Sequence, residues 1–131
     1  MGIPPAIMVL RQREVRMARV VSIGKQSFED LRLENYFYVD KTDFIRQWWS
    51  LGDEVTLICR PRRFGKTLTL SMCESFLSLR NAGRGERLFG GLDVWDDPAM
   101  RALQGTVPTI FLSFADCKGA SAEECLASMK L

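Results

Sequence analysis

The chain of 131 residues contains no histidine. That absence removes the usual general base and with it every Ser-His or Cys-His nucleophile arrangement. It also excludes a mixed cysteine and histidine zinc site, and the four cysteines, at 59, 73, 117 and 125, form no Cys-x-x-Cys pair. Cys59 and Cys73 read instead as small apolar residues kept reduced, which fits a cytoplasmic protein. No apolar run approaches the roughly 20 residues that cross a bilayer, so no membrane is expected. Residues 3–10 are apolar, yet they include Pro4 and Pro5, follow no basic region and lead into arginines rather than a small-residue cleavage site, so they do not read as a secretory signal. Any chemistry must rest on metal, lysine, arginine and carboxylates.

An excess of one charge sign is missing too. The formal net charge is +2, and residues 1–25 carry five basic residues against Glu14, leaving a balance of −2 for the remainder. A uniformly basic nucleic-acid-binding surface is therefore not indicated. With 47% hydrophobic residues the chain suffices for one modest core.

The stretch that organises the chain is VTLICRPRRFGKTLT, residues 55–69. An apolar, β-branched run leads through a basic turn to Gly65, Lys66 and Thr67, after which a helical pattern begins. Strand, loop and helix in this order make a phosphate-binding loop: backbone N–H groups and the positive helix end surround phosphate, the lysine neutralises charge and the hydroxyl holds Mg2+. Four residues separate the two glycines of the general motif, and counting back from Gly65 puts Arg60 at the first glycine position. Glycine is normal at that position because the loop backbone enters conformations that a Cβ makes costly, on the order of 1 kcal/mol or more. The alternative is a tight strand-to-helix turn whose Arg60, Arg62 and Arg63 are solvated.

Along the chain, residues 1–19 read as a loosely ordered extension. Their Arg11, Arg13, Arg16 and Arg19 offer an alternative role toward nucleic acid or anionic lipid. Ser27 and Asp30 form a capping pattern for a helix over residues 28–34. Residues 36–39 suit an extended segment, and Asp40 or Thr42 caps a second helix running to Trp49. Phe44, Ile45, Trp48 and Trp49 give that helix a wide apolar face, with the tryptophans expected in the core. Tyr38, Asp40 and Lys41 precede the loop and have an alternative role beside a nucleotide base. Gly52 and Asp53 turn the chain into the strand at 55–59. The helix from Lys66 to about Arg80 carries Leu68, Met72, Phe76 and Leu79 on one stripe, expected to pack against a sheet. Residues 88–95 read as a turn and a short extended piece, Asp96, Asp97 and Pro98 restart a helix reaching Leu103, residues 109–114 form a second buried strand, and Ser121 with Glu124 caps a final helix.

Four pieces in this order and spacing carry a resemblance: YFYVDKT at 36–42, RPRRFGKTL at 60–68, LFGGL at 88–92 and LSFAD at 112–116. Together they resemble the bacterial AAA-ATPase-like family, over roughly residues 20–130. Members typically carry a P-loop domain ahead of a PD-(D/E)XK nuclease-like domain. That family's loop itself has arginine at the position of Arg60. The resemblance implies ATP and Mg2+ as ligands, with phosphate contacts on Gly65, Lys66 and Thr67 inside a site formed by Arg60, Pro61, Arg62, Arg63, Phe64, Gly65, Lys66, Thr67 and Leu68. Thr67 is the implied Mg2+ ligand.

The resulting expectations are concrete. The fold is the N-terminal part of a three-layer α/β P-loop sandwich, residues 20–131, in which the strands at 55–59 and 109–114 lie parallel and are joined by a right-handed crossover through the Lys66 helix. Hydrolysis needs an acidic residue at the end of a neighbouring strand. Asp116 is the candidate, and it is set aside because in such ATPases the acidic strand comes one helix later, which would place it beyond Leu131. The expected function is an ATP-binding module not competent for hydrolysis alone, with nucleic acid a partner only through the family's nuclease-like domain. The rival is a noncatalytic interaction module whose arginines at 60–63 meet nucleic acid or an acidic partner. Exposed strand edges predict self-association.

Overall fold

The computed structural model describes residues 19–115 and 117–129. The extension through residue 18 and Asp116 lie outside the described residues. The Ser27 hydroxyl accepts from the Asp30 N–H at 3.2 Å, and helix α1 (Phe28–Leu33) begins where that cap satisfies an orphan donor. Helix α2 (Asp43–Leu51) closes on Gly52, whose φ of 66° is the left-handed turn that glycine makes at low cost. Helix α3 (Lys66–Leu77) ends short of Arg80, because the Ser78 hydroxyl accepts from the Arg80 N–H and restarts the chain as a 3-10 turn, Leu79–Asn81.

Residues 88–95, read from sequence as turn and extended chain, are instead the end of helix α4 (Gly85–Phe89) and a 3-10 turn, Asp93–Asp96. Gly90 and Gly91 follow this helix directly, with Gly90 as its C-terminal cap residue. A Cβ on Gly90 would stand 2.4 Å from the Glu86 carbonyl oxygen, so the residue is glycine for lack of room. Helix α5 (Pro98–Leu103) has Asp97 as its cap, accepting from the Ala99 N–H at 2.9 Å, with proline at the first helical position. Before helix α6 (Ala122–Met129), the Glu124 N–H donates to the Ser121 hydroxyl at 3.3 Å and the Glu124 carboxylate accepts from the Ala120 N–H at 2.8 Å. The first bond is the expected Ser121 cap, and the second holds the preceding residue to the same helix end.

The expected parallel sheet is absent. Among the described residues there is no strand, only an isolated parallel bridge between Ser78 and Val107, where the Val107 N–H donates to the Leu77 carbonyl at 2.9 Å. An α/β sandwich is therefore the wrong description, and the crossover joining two strands falls with it. Thr56 and Ile58 line one cavity of about 460 Å3 with Thr109, Ile110, Phe111 and Leu112, together with Phe44, Trp48, Leu70 and Leu77, and the two segments do not pair as a ladder. Val55, Leu57, Ile110 and Leu112 are exposed, and Cys59 is exposed rather than central. Their β-branched pattern reports fitness for a pleated, half-buried surface, and a strand forms only when a neighbour satisfies its backbone.

The core is built between helices instead. Met72 and Phe76 of α3 are fully buried, as is Phe89 of α4. Phe89 stacks on Phe28 of α1 and meets Phe76 edge-on, both with ring centroids 5.0 Å apart. The stripe on α3 thus packs on α1 and α4, and Leu79 leaves it as a half-exposed residue of the 3-10 turn. Of the two tryptophans expected in the core, Trp48 packs against it and Trp49 is 42% exposed. No helix among the described residues is long and apolar enough to cross a membrane.

Candidate functional site

Two left-handed residues shape the loop at 60–65. Arg63 has φ 67° and Gly65 φ 76°, whereas Arg60 is not in the left-handed region. The strain expected at Arg60 therefore sits three residues later, which explains locally why arginine is tolerated at position 60. Gly65 is the residue before α3, and no side chain caps that helix. Its first N–H groups are thus left for solvent or a ligand, at the end where the helix dipole is positive. The Thr69 hydroxyl donates back to the Gly65 carbonyl at 2.9 Å and fixes the junction.

Around this junction lies a cavity of about 680 Å3. Arg63, Gly65, Lys66, Thr67 and Leu68 line one side, and residues 22–26 line the other. Three cations, Lys25, Arg63 and Lys66, therefore face one space. Among the described residues, Lys25 alone of the three is ion-paired, with Glu34, and its amine also lies 4.8 Å from the centre of the Tyr36 ring. The hydrogen bond with Glu34 raises the Lys25 pKa and lowers that of Glu34. Thr67 is exposed to the cavity, with no hydrogen bond from its hydroxyl to any described residue.

The remaining loop residues divide differently. Arg60 and Phe64 line a smaller cavity of about 300 Å3 with Lys41 and Lys66. Pro61 and Arg62 are exposed and line neither space. Of the three residues before α2 that had an open role, only Lys41 reaches the loop: its Nζ lies 3.7 Å from where a Cβ on Gly65 would stand. Tyr38 turns inward, with its hydroxyl on the Met72 sulfur at 3.1 Å and its ring edge-on to Phe28 at 5.3 Å, and burial pushes its pKa up to about 12. The Asp40 carboxylate accepts from the Thr42 hydroxyl and N–H and from the Asp93 N–H. Burial pushes the Asp40 pKa up, but those hydrogen bonds outweigh it and hold the group below the usual carboxylate range.

The quoted sequence pieces therefore have two kinds of duty. Arg63 and residues 65–68 line the larger cavity, while 36–42 and 88–92 are largely ties. Arg32, for instance, donates to the Leu88 carbonyl at 2.7 Å and the Gly90 carbonyl at 2.8 Å. Burial lowers its pKa, with the charge of Arg19 adding in the same sense. Residues 22–26 went unnoticed in the sequence because they stand some forty positions from the loop and match no motif. Their only local mark is Gly24, which bends the chain at φ 82°.

Comparison with known proteins bears on this site. A family model described as "Predicted AAA-ATPase" matches residues 22–131, a span that begins with the far wall of the cavity. A curated protein of Azotobacter chroococcum mcd 1, named "Uncharacterized protein in vnfD 5'region", is 46% identical over 76 residues. That alignment takes in 56% of this chain and 13% of the relative, so the chain spans a small part of the relative's length. No solved structure matches. On the extent of the family match, the chain belongs to the predicted AAA-ATPase-like family.

Proposed function

We propose that this chain is an ATP-binding module, with the triphosphate held at the N-terminus of α3. The observation that carries this reading is the convergence of Arg63, Lys66 and Thr67 on one cavity at an uncapped helix end that follows a left-handed Gly65. The donor set fits the ligand. Free N–H groups and the helix dipole favour a phosphate, Lys66 and Arg63 neutralise its charge, and the Thr67 hydroxyl is free to meet a metal ion. Mg2+ bound with ATP would supply charge neutralisation across the phosphate oxygens. Gly65 lets the backbone approach closely, and Lys41 adds a further cation beside it.

Titration of the full chain with ATP, with and without Mg2+, tests the proposal. A ligand at 100 times its Kd stabilises the folded state by about 2.7 kcal/mol, which a thermal-shift measurement reads directly. Thr67→Ala should weaken binding chiefly when Mg2+ is present, because its hydroxyl serves the metal. An absence of any stabilisation by Mg2+ and ATP at millimolar concentration would contradict the proposal.

A further inference from the structure

The smaller cavity, of about 300 Å3, shares Lys66 with the larger one. Its lining includes three cations, Lys41, Arg60 and Lys66, and no acidic residue. None of the three is ion-paired with a described residue. Thr69 contributes the only hydroxyl of that lining, and it is spent on the Gly65 carbonyl. Lys41 is fixed through its main chain, since its N–H donates to the Tyr38 hydroxyl at 3.4 Å and its carbonyl accepts from the Phe44 N–H at 3.1 Å. Its Nζ, 3.7 Å from where a Cβ on Gly65 would stand, makes no hydrogen bond to any described residue.

We infer that Lys41 and Arg60, with Lys66, form a subsite for the terminal phosphate, so that Lys41 and Arg60 set the preference for a triphosphate over a diphosphate. The inference rests on the ATP-binding reading above and gives the smaller cavity its occupant. Three like charges facing one space repel, and no carboxylate offsets them, so an anion is favoured there over a neutral group. Phe44, Ile58 and Phe64 supply apolar walls, beside which a charge contact is stronger than in open water. Because Lys66 lines both cavities, one polyphosphate chain held on that lysine can enter both. The nucleoside is the bulkier end of the ligand and takes the larger space, about 680 Å3 against about 300 Å3, which leaves the smaller one to the last phosphate. Arginine at position 60 thereby has a role that glycine there could not fill.

Calorimetric titrations of the full chain with ATP, ADP and inorganic tripolyphosphate, all with Mg2+, test this in wild type, Lys41→Ala and the double variant Lys41→Ala with Arg60→Ala. Wild type should bind ATP about tenfold tighter than ADP, the effect of one charge-assisted contact. Lys41→Ala should remove about tenfold from ATP and from tripolyphosphate while leaving ADP unchanged, and the double variant should hold ATP no more tightly than ADP. Lys41 and Arg60 are exposed, so these substitutions leave the core intact and the Tm without ligand should match wild type. Nucleotide binding with equal affinity of wild type for ATP and ADP, or with an ATP-to-ADP ratio that the double variant leaves unchanged, would overturn the subsite alone. Failure of all three ligands to bind wild type would overturn the subsite and the ATP-binding reading together.

Discussion

The Thr42 hydroxyl donates to the Asp40 carboxylate at 2.6 Å while accepting from the Val94 N–H at 3.1 Å. Asp40 accepts in turn from the Asp93 N–H at 2.7 Å, so these two side chains tie the start of α2 to the 3-10 turn at Asp93–Asp96. Lys41, between them, is thereby held beside Gly65.

Removing this tie should be costly. Hydrogen bonds to a charged group are each worth about 1.5–3 kcal/mol, so Asp40→Ala should lower the unfolding free energy by at least about that much. The pH dependence has a definite sign. The Asp40 pKa is depressed in the folded state, so its contribution is complete above the ordinary aspartate value and disappears as pH falls through the lower folded one. Urea unfolding of wild type and Asp40→Ala should therefore differ fully at pH 7 and converge below about pH 4. A gap that stays constant down to pH 2.5 would count against the tie.

Phe89 is the second stability test. It is fully buried and touches the rings of both Phe28 and Phe76. Phe89→Ala should cost about 3–5 kcal/mol, whereas Phe64→Ala, at a residue 63% exposed, should change stability little. Equal effects of the two in denaturant titration would show that the core is not organised around Phe89.

Arg63 carries a conformational cost. A left-handed backbone costs an L-residue roughly 1–2 kcal/mol, and glycine escapes it while losing more chain entropy on folding. Arg63→Gly should therefore leave the Tm level or slightly raised, even as it weakens ATP by removing a cation from the cavity. A clear fall in Tm would place the arginine side chain in the fold rather than in binding.

Exposed apolar side chains at Val55, Leu57, Ile110 and Leu112 should promote self-association of this chain. Sedimentation velocity should show a concentration-dependent shift that Leu57→Asp together with Ile110→Lys reduces. A monodisperse monomer at high concentration would contradict this.

How far the sequence led is clear from particular residues. Three caps are legible because they are local: Ser27, Asp97 and Ser121 each meet an N–H two or three positions on. The cap expected from Asp40 or Thr42 does not form, since no side chain caps α2 and both side chains are spent on the tie to residues 93 and 94. The Lys66 helix and its Met72 and Phe76 stripe were legible from spacing. The absence of a sheet is not legible at residues 55–59 and 109–114, because pairing is a tertiary property that β-branched composition does not specify. In the site, Gly65, Lys66 and Thr67 came from a short motif, whereas residues 22–26 reach the cavity only through the packing of α1 on α3. The left-handed residue could not be located from the motif either, since the missing glycine pointed to Arg60 and the strain sits at Arg63.

The most direct test of the central claim compares Mg2+ and ATP affinity, by calorimetry, in wild type, Lys66→Ala and Arg62→Ala. Lys66 lines the cavity at the first turn of α3, and a charge-assisted phosphate contact is worth about 1.5–3 kcal/mol, so its loss should weaken ATP at least about tenfold. Arg62 is exposed and lines neither cavity, so its variant should bind ATP as wild type does. ATP binding unchanged by Lys66→Ala, alongside salt-sensitive oligonucleotide binding that Arg62→Ala reduces, would contradict the account and favour an interaction module built on the arginine cluster.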